Sequence, residues 1–439
     1  MFGQIPNLTN ASILFVLDLS SNNFSGPLPL LHSNASTVNF SNNTFSGSIS
    51  QLLCYKTKES KQTEVLKLRF NSLAEELPDC WMNWPSLLVM DLGNNKFTGS
   101  LPTSFGTLMM LESLRLRKNY FFGTIPAALK NCTELRVLDV SGNELVGIIP
   151  SWIGERFSSR MIILNLRSNK FHGFLPLELC HLTSLQILDL ADNNLFGVIP
   201  RCVKNISAMV TTGFPASNGV GYDTDYNTDG ITEDTLVVTK GETVEYTTIL
   251  NLVRSIDLSK NNFSGEIPIE VTNLVALQSL NLSHNSFTGK IPTNFGVMKS
   301  LESVDFSSNQ LFGEIPQSIS SLTFLSHLNL SNNNLIGKIP LSTQLQSFDP
   351  SCFMGNELCG SPLLKNCTSP TLDHENGRSG NNGEGHEVYW FYVSMTLGFV
   401  VGFWSLIGPL IVNRRWRYMY RRFLDRLGDI IGSVVRKCF

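Results

Sequence analysis

The sequence has almost no net charge that could attract a strongly charged partner. Its 33 Lys and Arg against 36 Asp and Glu give a formal net charge of −3, whereas a nucleic-acid-binding surface needs an excess of basic residues. The seven histidines are scattered without the close pairing of zinc ligands. Neither a glycine-rich phosphate loop nor a nucleophile elbow occurs. We therefore predict no catalytic residue, no metal, no cofactor and no nucleic-acid partner, and hence no enzyme.

One short segment resembles half of a calcium-binding loop. Asp225, Asn227, Asp229 and Gly230 have the spacing of the first half of such a loop, but Leu236 stands where the bidentate Glu would be needed. We prefer to interpret this stretch as an acidic polar segment without a metal.

The sequence does contain one segment twelve times, Leu-x-Leu-x-x-Asn-x-Leu/Phe-x-Gly-x-Ile/Leu-Pro. Most successive anchor asparagines lie 24 residues apart, and a fixed period of this length is typical of a solenoid. The alternating leucines predict a short strand in each coil, and neighbouring strands then form one parallel sheet. The anchors are Asn22, Asn43, Asn71, Asn95, Asn119, Asn143, Asn169, Asn193, Asn261, Asn285, Asn309 and Asn333.

Three other features of the repeat predict how each coil turns. The anchor Asn can satisfy backbone groups where the chain leaves the strand, so stacked anchors would form a ladder. A glycine follows four residues later in eleven repeats and Glu75 replaces it in one; glycine permits backbone conformations closed to other residues. Proline then fixes the return path, and only the second repeat has Ser50 in its place.

The repeats are interrupted once. Asn193 and Asn261 are 68 residues apart, which is one repeat plus about 44 residues, and four regular repeats follow. We call the inserted segment the island.

The repeat ending at residues 289–292 resembles the plant extracellular leucine-rich repeat. The island's exit at residues 240–259 and the segments 343–348 and 355–360 resemble the island and C-terminal cap of the plant receptor-like proteins, a kinase-less family that includes disease-resistance receptors and a few developmental ones. The resemblance covers essentially the whole chain. It implies an α/β-type repeat solenoid, a superhelix with a parallel concave sheet, one island and one C-terminal transmembrane helix.

These features divide the chain into seven segments. They are leucine-rich repeats at 1–202, the island at 203–254, four leucine-rich repeats at 255–345, the cap at 346–368, an acidic polar linker at 369–387, a transmembrane helix at 388–412 and a basic cytoplasmic tail at 413–439.

The predicted membrane helix is a run of 25 residues without a charge, residues 388–412. At about 1.5 Å per residue it is long enough to cross a hydrocarbon layer of about 30 Å. Acidic residues dominate before it and basic residues after it, which predicts a single-pass type I plasma-membrane protein with extracellular repeats. Gly398 and Gly402 lie on one face of this helix and are predicted to associate with another helix.

Cysteine spacing predicts disulfides in an oxidising compartment. Cys54 and Cys180 each lie eleven residues after an anchor Asn, and Cys80 and Cys202 each lie nine after the anchor of the following repeat. Stacked coils would bring Cys54 beside Cys80 and Cys180 beside Cys202. A third pair would close the cap, and Cys132 and Cys352 would stay free. The alternative is six scattered buried thiols. The predicted cap pair is Cys359 with Cys367.

Twelve Asn-x-Ser/Thr sites precede the apolar run and none follows it. Those on the predicted strands, such as Asn281 and Asn329, would place a glycan on the concave face, and we leave their use open. The better candidates lie on flanking and convex surfaces. The predicted glycosylation sites are Asn7, Asn10, Asn23, Asn34, Asn42, Asn131, Asn205, Asn262 and Asn366.

Outward strand positions before the island differ from repeat to repeat, with basic residues among repeats that carry Asp91, Asp139 and Asp189. After the island the same positions become uniform Asp and Asn. We therefore predict ligand contacts on the concave face before the island and on the island itself, and the alternative is a polar face that is merely solvated. The predicted ligand-binding residues are Lys67, Arg69, Arg115, Arg117, Lys118 and Arg167.

The start of the sequence reads as the tail of an earlier repeat, and no signal peptide precedes it. We interpret the chain as part of a longer receptor or as a truncated gene product. The resemblance implies a receptor for an extracellular, microbial protein or peptide that signals through an adaptor receptor kinase and a ligand-recruited co-receptor kinase. The alternatives are a developmental receptor for an endogenous peptide and a non-signalling decoy.

Overall fold

The computed structural model describes residues 1–367, apart from 12, 14, 56–59, 212–220, 225–226, 233–234, 240–241 and 247–251; the island strands are described by their backbone. The predicted linker, membrane helix and tail lie outside the described residues, as do Gly398 and Gly402. Within the described part, no helix combines the length and the apolar character needed to cross a membrane.

Within the described residues, twelve three-residue strands form one parallel sheet on the concave side. The first position of Leu-x-Leu lies in the middle of each strand and the second directly follows the strand, and leucines such as Leu164 and Leu166 are fully buried in a core that runs from Leu28 to Leu358. The predicted parallel-sheet solenoid is confirmed. The strands are Val16–Asp18, Thr37–Asn39, Val65–Lys67, Val89–Asp91, Ser113–Arg115, Val137–Asp139, Ile163–Asn165, Ile187–Asp189, Ser255–Asp257, Ser279–Asn281, Ser303–Asp305 and His327–Asn329.

A second series of short parallel strands follows the anchor asparagines. Among the described residues these form three sheets of five, six and three strands, which we call the lateral sheets. The first comprises Phe2–Gly3, Asn23–Gly26, Thr44–Gly47, Ser72–Glu76 and Lys96–Thr98. The second comprises Phe122–Gly123, Glu144–Gly147, Lys170–Gly173, Asn194–Gly197, Asn262–Glu266 and Ser286–Thr288. The third comprises Phe312–Gly313, Asn334–Lys338 and Glu357–Cys359.

Short helices close the coils on the convex side, and most of them start near the repeat's proline. The described α-helices are Ser50–Cys54, Trp152–Arg156, Ser207–Val210 and Thr343–Gln346. The described 3₁₀ helices are Trp81–Asn83, Thr103–Thr107, Ala127–Asn131, Leu177–His181, Arg201–Asn205, Ile269–Asn273, Phe295–Val297, Gln317–Ser321 and Pro350–Phe353.

The anchor asparagines form the predicted ladder. Asn143 Nδ2 donates to the carbonyl of Val140 in its own coil at 2.9 Å and to that of Leu116 in the preceding coil at 3.1 Å, and its Oδ1 accepts from the backbone N–H of Phe121 at 3.1 Å. An apolar side chain at this position would leave those buried backbone groups without partners. The ladder therefore joins successive coils as well as turning each one.

The glycine four residues after each anchor adopts a positive φ, as at Gly99 with +82°. Glu75, which replaces that glycine in the third repeat, has a φ of +75°. A side chain with a Cβ is strained in this region of φ/ψ space. The third coil therefore keeps the backbone of its neighbours at a cost that the other coils avoid.

The cap adds a rung that sequence reasoning missed. Asn356 Oδ1 accepts from the backbone N–H of Leu335 at 3.0 Å, and its Nδ2 donates to the carbonyl of Leu330 at 2.9 Å. A signal was present, because Asn356, Leu358 and Gly360 repeat the Asn-x-Leu-x-Gly spacing. The cap thus ends the solenoid as a partial coil whose strand joins the third lateral sheet.

The island is looped out without breaking the concave sheet, since Ile187–Asp189 pairs directly with Ser255–Asp257. Within it, Gly221–Thr224 pairs antiparallel with Asn227–Thr232, and Thr235–Thr239 with Glu242–Tyr246. The segment that resembles a calcium loop therefore includes a hairpin strand from Asn227; Asp225 lies outside the described residues.

Candidate functional site on the concave face

One outward-facing residue from each concave strand lines up in a single column along the solenoid. Parallel strands in register bring equivalent residues side by side, so the column follows directly from the repeat. We call it the concave column. Its members are Asp18, Asn39, Lys67, Asp91, Arg115, Asp139, Asn165, Asp189, Asp257, Asn281, Asp305 and Asn329.

Asp and Asn in this column have a structural role that the repeat pattern did not lead us to predict. Asp305 Oδ1 accepts from the backbone N–H of Ser307 at 2.9 Å, and Asn165 Oδ1 accepts from that of Arg167 at 3.2 Å. At each of the ten Asp or Asn positions of the column, Oδ1 accepts a hydrogen bond from the backbone N–H two residues later. It closes a local turn. The readable signal was an Asp or Asn four residues before an anchor.

Lys67 and Arg115 break this pattern, because their side chains have no acceptor atom. Lys67 lies in register between Asn39 and Asp91, and Arg115 lies between Asp91 and Asp139. The charge of the column therefore alternates in sign here. These are the positions at which the solenoid has replaced a turn-closing residue with a cation.

A cleft of about 380 Å³ opens on the concave face beside Lys67. Its walls include Arg69, whose guanidinium lies 5.6 Å from the centre of the Phe70 ring and whose Nε lies 4.0 Å from Asp91 Oδ2. Two of the predicted ligand-binding residues thus share one cleft with an aromatic ring and a carboxylate. The lining residues are Ser20, Ser21, Asn39, Ser41, Asn42, Lys67, Arg69, Phe70 and Asp91.

Phe70 is a functional candidate that sequence reasoning missed. It is 45% exposed and has a φ of +55°, and a bulky residue in that conformation is a genuine outlier. Strain of this kind concentrates at functional sites. In the other repeats, the residue before the anchor is small or polar, and this was the available signal. Those residues are Ser21, Asn42, Asn94, Lys118, Gly142, Ser168, Asp192, Lys260, His284, Ser308 and Asn332.

The remaining predicted basic residues divide by exposure. Arg115 and Arg117 are 2% and 1% exposed, and the stem of Arg117 lies over Gly93 of the preceding coil, where a Cβ would be 3.0 Å from Arg117 Cγ. Lys118 is exposed. The structure therefore groups only Lys67 and Arg69 in the open cleft.

Arg167 is already engaged in a clamp with two aspartates. Its Nε lies 2.7 Å from Asp189 Oδ2, and its Nη2 contacts Asp257 Oδ2. The two aspartates lie in register on the strands that flank the island. Burial, and then the neighbouring Asp257 charge, raise the pKa of Asp189 to about 7 against the opposing effect of Arg167. Arg167 thus holds the two repeat blocks together.

Arg254 closes the base of the island. Its Nε donates to the carbonyl of Ala208, near the start of the island, at 2.6 Å, and its backbone N–H donates to Gln278 Oε1, in the repeats after the island, at 2.9 Å. The side chain spans a sequence separation of 46 residues. Nothing in the repeat pattern marks this position.

All three predicted disulfides are present, joining Cys54 to Cys80, Cys180 to Cys202 and Cys359 to Cys367 with Cα–Cα distances of 5.6, 5.7 and 5.2 Å. Cys132 and Cys352 are free. Burial raises the pKa of the Cys132 thiol to about 12, so this thiol is unreactive.

The predicted glycosylation sites are exposed except Asn34, which is half-buried. Asn42 lines the concave cleft, so a glycan there would share the surface predicted to contact a ligand. Asn281 and Asn329, left open above, use their Oδ1 atoms to close turns of the concave column.

Two family profiles described as leucine-rich repeats match the chain. One matches residues 133–195. The other matches residues 14–35, 86–108, 110–132, 252–274, 276–298, 300–322 and 324–345. With the parallel concave sheet and the asparagine ladder, these matches define a leucine-rich-repeat protein.

Receptor-like protein EIX2 of Solanum lycopersicum is 45% identical over 438 residues, which cover 97% of this chain and 42% of that protein. Receptor-like protein EIX1 of the same species is 42% identical over 110 residues, covering 22% of this chain and 10% of that protein. The chain belongs to the plant leucine-rich-repeat receptor-like proteins. It spans less than half the length of these curated relatives.

Solved ectodomains share the fold. The Arabidopsis receptor kinase HAESA, in complex with the peptide hormone IDA and the co-receptor SERK1, matches with a TM-score of 0.59 and 30% identity over 82% of this chain and 56% of that chain. The plant peptide hormone receptor RGFR1, in complex with RGF2, matches with a TM-score of 0.56 and 25% identity over 81% and 57%.

Proposed function

We propose that the chain is the recognition part of a plasma-membrane receptor for an extracellular protein or peptide of microbial origin, which signals through an associated receptor kinase. The family and the peptide complexes of its solved relatives support this class of ligand. One observation carries the proposal: the cleft lined by Lys67, Arg69 and Phe70 opens where Lys67 replaces a turn-closing residue of the concave column.

The chemistry of this cleft suits a peptide side chain. A volume of about 380 Å³ is at the small end of ligand pockets, so it fits one or two side chains better than a large cofactor. Phe70 offers an aromatic ring, Arg69 a cation beside it and Asp91 a carboxylate. Aromatic residues and Arg dominate the energetics of protein interfaces. We therefore assign the cleft to an anchor residue of the ligand.

Phe70→Ser tests the assignment without threatening the fold. Serine occupies the same positive-φ position at Ser21, Ser168 and Ser308, so the variant should accumulate at the wild-type level. The matched control is His284→Ser, at the same position in a repeat after the island. Each full-length variant would be expressed in leaf tissue and challenged with fractionated microbial secretions, and the oxidative burst recorded.

Loss of an interface anchor costs about 2 kcal/mol or more, which is about a 30-fold loss in ligand sensitivity. We expect that loss for Phe70→Ser and a wild-type response for His284→Ser. An unchanged response for Phe70→Ser would remove the cleft from the ligand site.

The peptide-hormone complexes of the two solved relatives favour one alternative, a developmental receptor for an endogenous peptide. It predicts altered meristem or stomatal patterning, and no burst with any microbial fraction. Binding without either response would instead indicate a non-signalling decoy.

Partner assignments follow from the same division of the chain. Uniform surfaces in residues 255–345 suit a shared co-receptor kinase, and Gly398 and Gly402 suit an adaptor kinase within the membrane. Exchanging residues 255–345 for the same block of a relative should leave ligand specificity unchanged. Replacing both glycines with Leu should remove co-precipitation of the adaptor while ligand binding persists.

A further inference from the structure

The second lateral sheet carries a row of exposed apolar side chains. Each residue that follows a repeat glycine lies over the glycine of the next coil: Ile148 over Gly173, Phe174 over Gly197 and Val198 over Gly265. Ile148, Phe174 and Val198 are 65%, 68% and 58% exposed.

Phe196, two residues before Val198, belongs to the same row. Its ring makes an edge contact with Phe174 at a centroid distance of 4.7 Å and is 40% exposed. We call Ile148, Phe174, Phe196 and Val198 the lateral apolar row. A contiguous apolar surface on a secreted protein normally meets something other than water.

The position of Phe196 is apolar in some other coils, as at Phe122 and Phe312, but large apolar residues directly after the repeat glycine occur just before the island. At these post-glycine positions the preceding coils carry Ser100 and Thr124, and the four later coils carry alternating charges. Those later residues are Glu266, Lys290, Glu314 and Lys338. The solenoid therefore does not require apolar residues here, and the row needs its own explanation.

A glycosylation sequence adjoins the row. Asn262, Phe263 and Ser264 form an Asn-x-Ser site, and the register of the lateral strands places Asn262 directly beside Phe196. Residues in register on neighbouring parallel strands lie about 4.8 Å apart and project to the same face. Asn262 and Phe196 are both exposed. Phe263, the residue after Asn262 in the alternating strand, is buried.

We infer that the glycan on Asn262 seats its first N-acetylglucosamine units on the lateral apolar row and covers it. The C–H bonds of a sugar ring carry partial positive charge and stack on the negative face of an aromatic ring, while the acetyl methyl group contacts Val198. The glycan would thus replace water over the row and stabilise the coils beside the island.

A natural comparison exists within the chain. Phe312 stands in the same register beside Asn334, but residues 334–336 are not a glycosylation site because Ile336 occupies the third position. Substituting Ile336→Thr creates one. It provides a gain-of-function control at an equivalent place in the third lateral sheet.

The test is a double-mutant cycle on the full chain produced in plant cells. Glycopeptide mass spectrometry would measure occupancy at Asn262, and the apparent Tm would be compared for wild type, Asn262→Gln, Phe196→Ala and the double variant; alanine is used because a serine at 196 would create a new Asn-x-Ser site at Asn194. Ser264→Ala removes the same glycan while keeping Asn262. Asn131→Gln removes a predicted glycan from a convex 3₁₀ helix and serves as the matched control.

We expect Asn262 to be glycosylated and its removal to lower the apparent Tm by about 1–3 °C. In the Phe196→Ala background the same removal should have almost no effect, since the aromatic ring on which the sugar packs is gone. The effect of Asn131→Gln should be the same with and without Phe196→Ala. Ile336→Thr should raise the apparent Tm only while Phe312 is present.

An unmodified Asn262, or an equal loss in both backgrounds, would overturn the inference. It would also be overturned if Phe196→Ala abolished association with another protein while Asn262→Gln left that association intact, because the row would then be a protein interface. The inference requires only passage through the secretory route. It therefore fails or stands separately from the cleft at Phe70.

Discussion

The repeats before and after the island share one backbone but differ in their surfaces. From Asp257 to Asn329 the concave column consists only of Asp and Asn closing turns with their own strands. Before the island the same column is interrupted by Lys67 and Arg115, and the lateral sheet carries the apolar row. In a solenoid, surface variation is possible because the ladder and the leucines alone maintain the coil. The regular block suits a constant partner, and the irregular block suits variable contacts.

The two blocks are joined at the island by Arg167, and its removal should produce the largest effect. Arg167→Met leaves Asp189 and Asp257 buried without their cation, which should lower the free energy of unfolding by about 3 kcal/mol. Pulse proteolysis of the full chain measures this. Adding Asp189→Asn together with Asp257→Asn and Ser259→Ala, the last to avoid a new Asn-x-Ser site at residue 257, should restore most of the loss. If the single variant were as stable as wild type, the clamp would not join the blocks.

The next contact between the blocks is Arg254 at the base of the island. Arg254→Ala should cost about 2 kcal/mol, because its charged hydrogen bond to the Ala208 carbonyl is lost, and cleavage within residues 203–254 should accelerate. Arg136 occupies the same repeat position and pairs with the partly exposed Glu112 at 3.4 Å. Arg136→Ala should cost at most about 1 kcal/mol. Equal costs for the two variants would contradict a special role for Arg254.

The clamp should also make stability depend on pH. Because the pKa of Asp189 is raised from 3.8 to about 7, the folded chain retains a proton between about pH 4 and pH 7 that the unfolded chain releases. This contribution to stability is therefore present at low pH and lost as pH rises toward 7, by at most about 1.4 kcal/mol per pH unit. Asp189→Asn should flatten the profile. The control in the regular block, Asp305→Asn with Ser307→Ala to avoid a new Asn-x-Ser site, should not. Parallel profiles for wild type and Asp189→Asn would refute the assignment.

The smallest expected change sharpens the comparison within the irregular block. Glu75→Gly gives the third repeat the residue used by the later ones and should stabilise the chain by about 1 kcal/mol, since the strain at φ +75° is relieved. The reverse control is Gly99→Ala. Its Cβ would lie 2.7 Å from Glu76 Cγ, so this variant should lower the free energy of unfolding. Urea unfolding measures both. No gain for Glu75→Gly would mean that the strain at Glu75 is compensated by its side chain.

Features that repeat along the chain could be predicted from the sequence by itself. The period of 24 residues stacks equivalent positions, so the ladder, the concave sheet and the pairing of Cys54 with Cys80 followed from spacing alone. The turn-closing Asp and Asn and the Asn356 rung were readable by the same logic, although they were missed. The ligand assignment for Lys67 and Arg69 remains a proposal.

Only the tertiary structure decided the contacts at the island. Arg167 meets Asp257 across 90 residues and Arg254 meets Ala208 across 46, because the looped-out segment removes the constant spacing that makes neighbours predictable. The exposure of Arg115, Arg117 and Phe70 was hidden for a related reason. Outward positions have the same sequence spacing whether a side chain packs over the next coil, as Arg117 does, or projects into a cleft, as Phe70 does. The repeat therefore determines which residues are neighbours, while the lengths and conformations of their side chains determine which of them a ligand can reach.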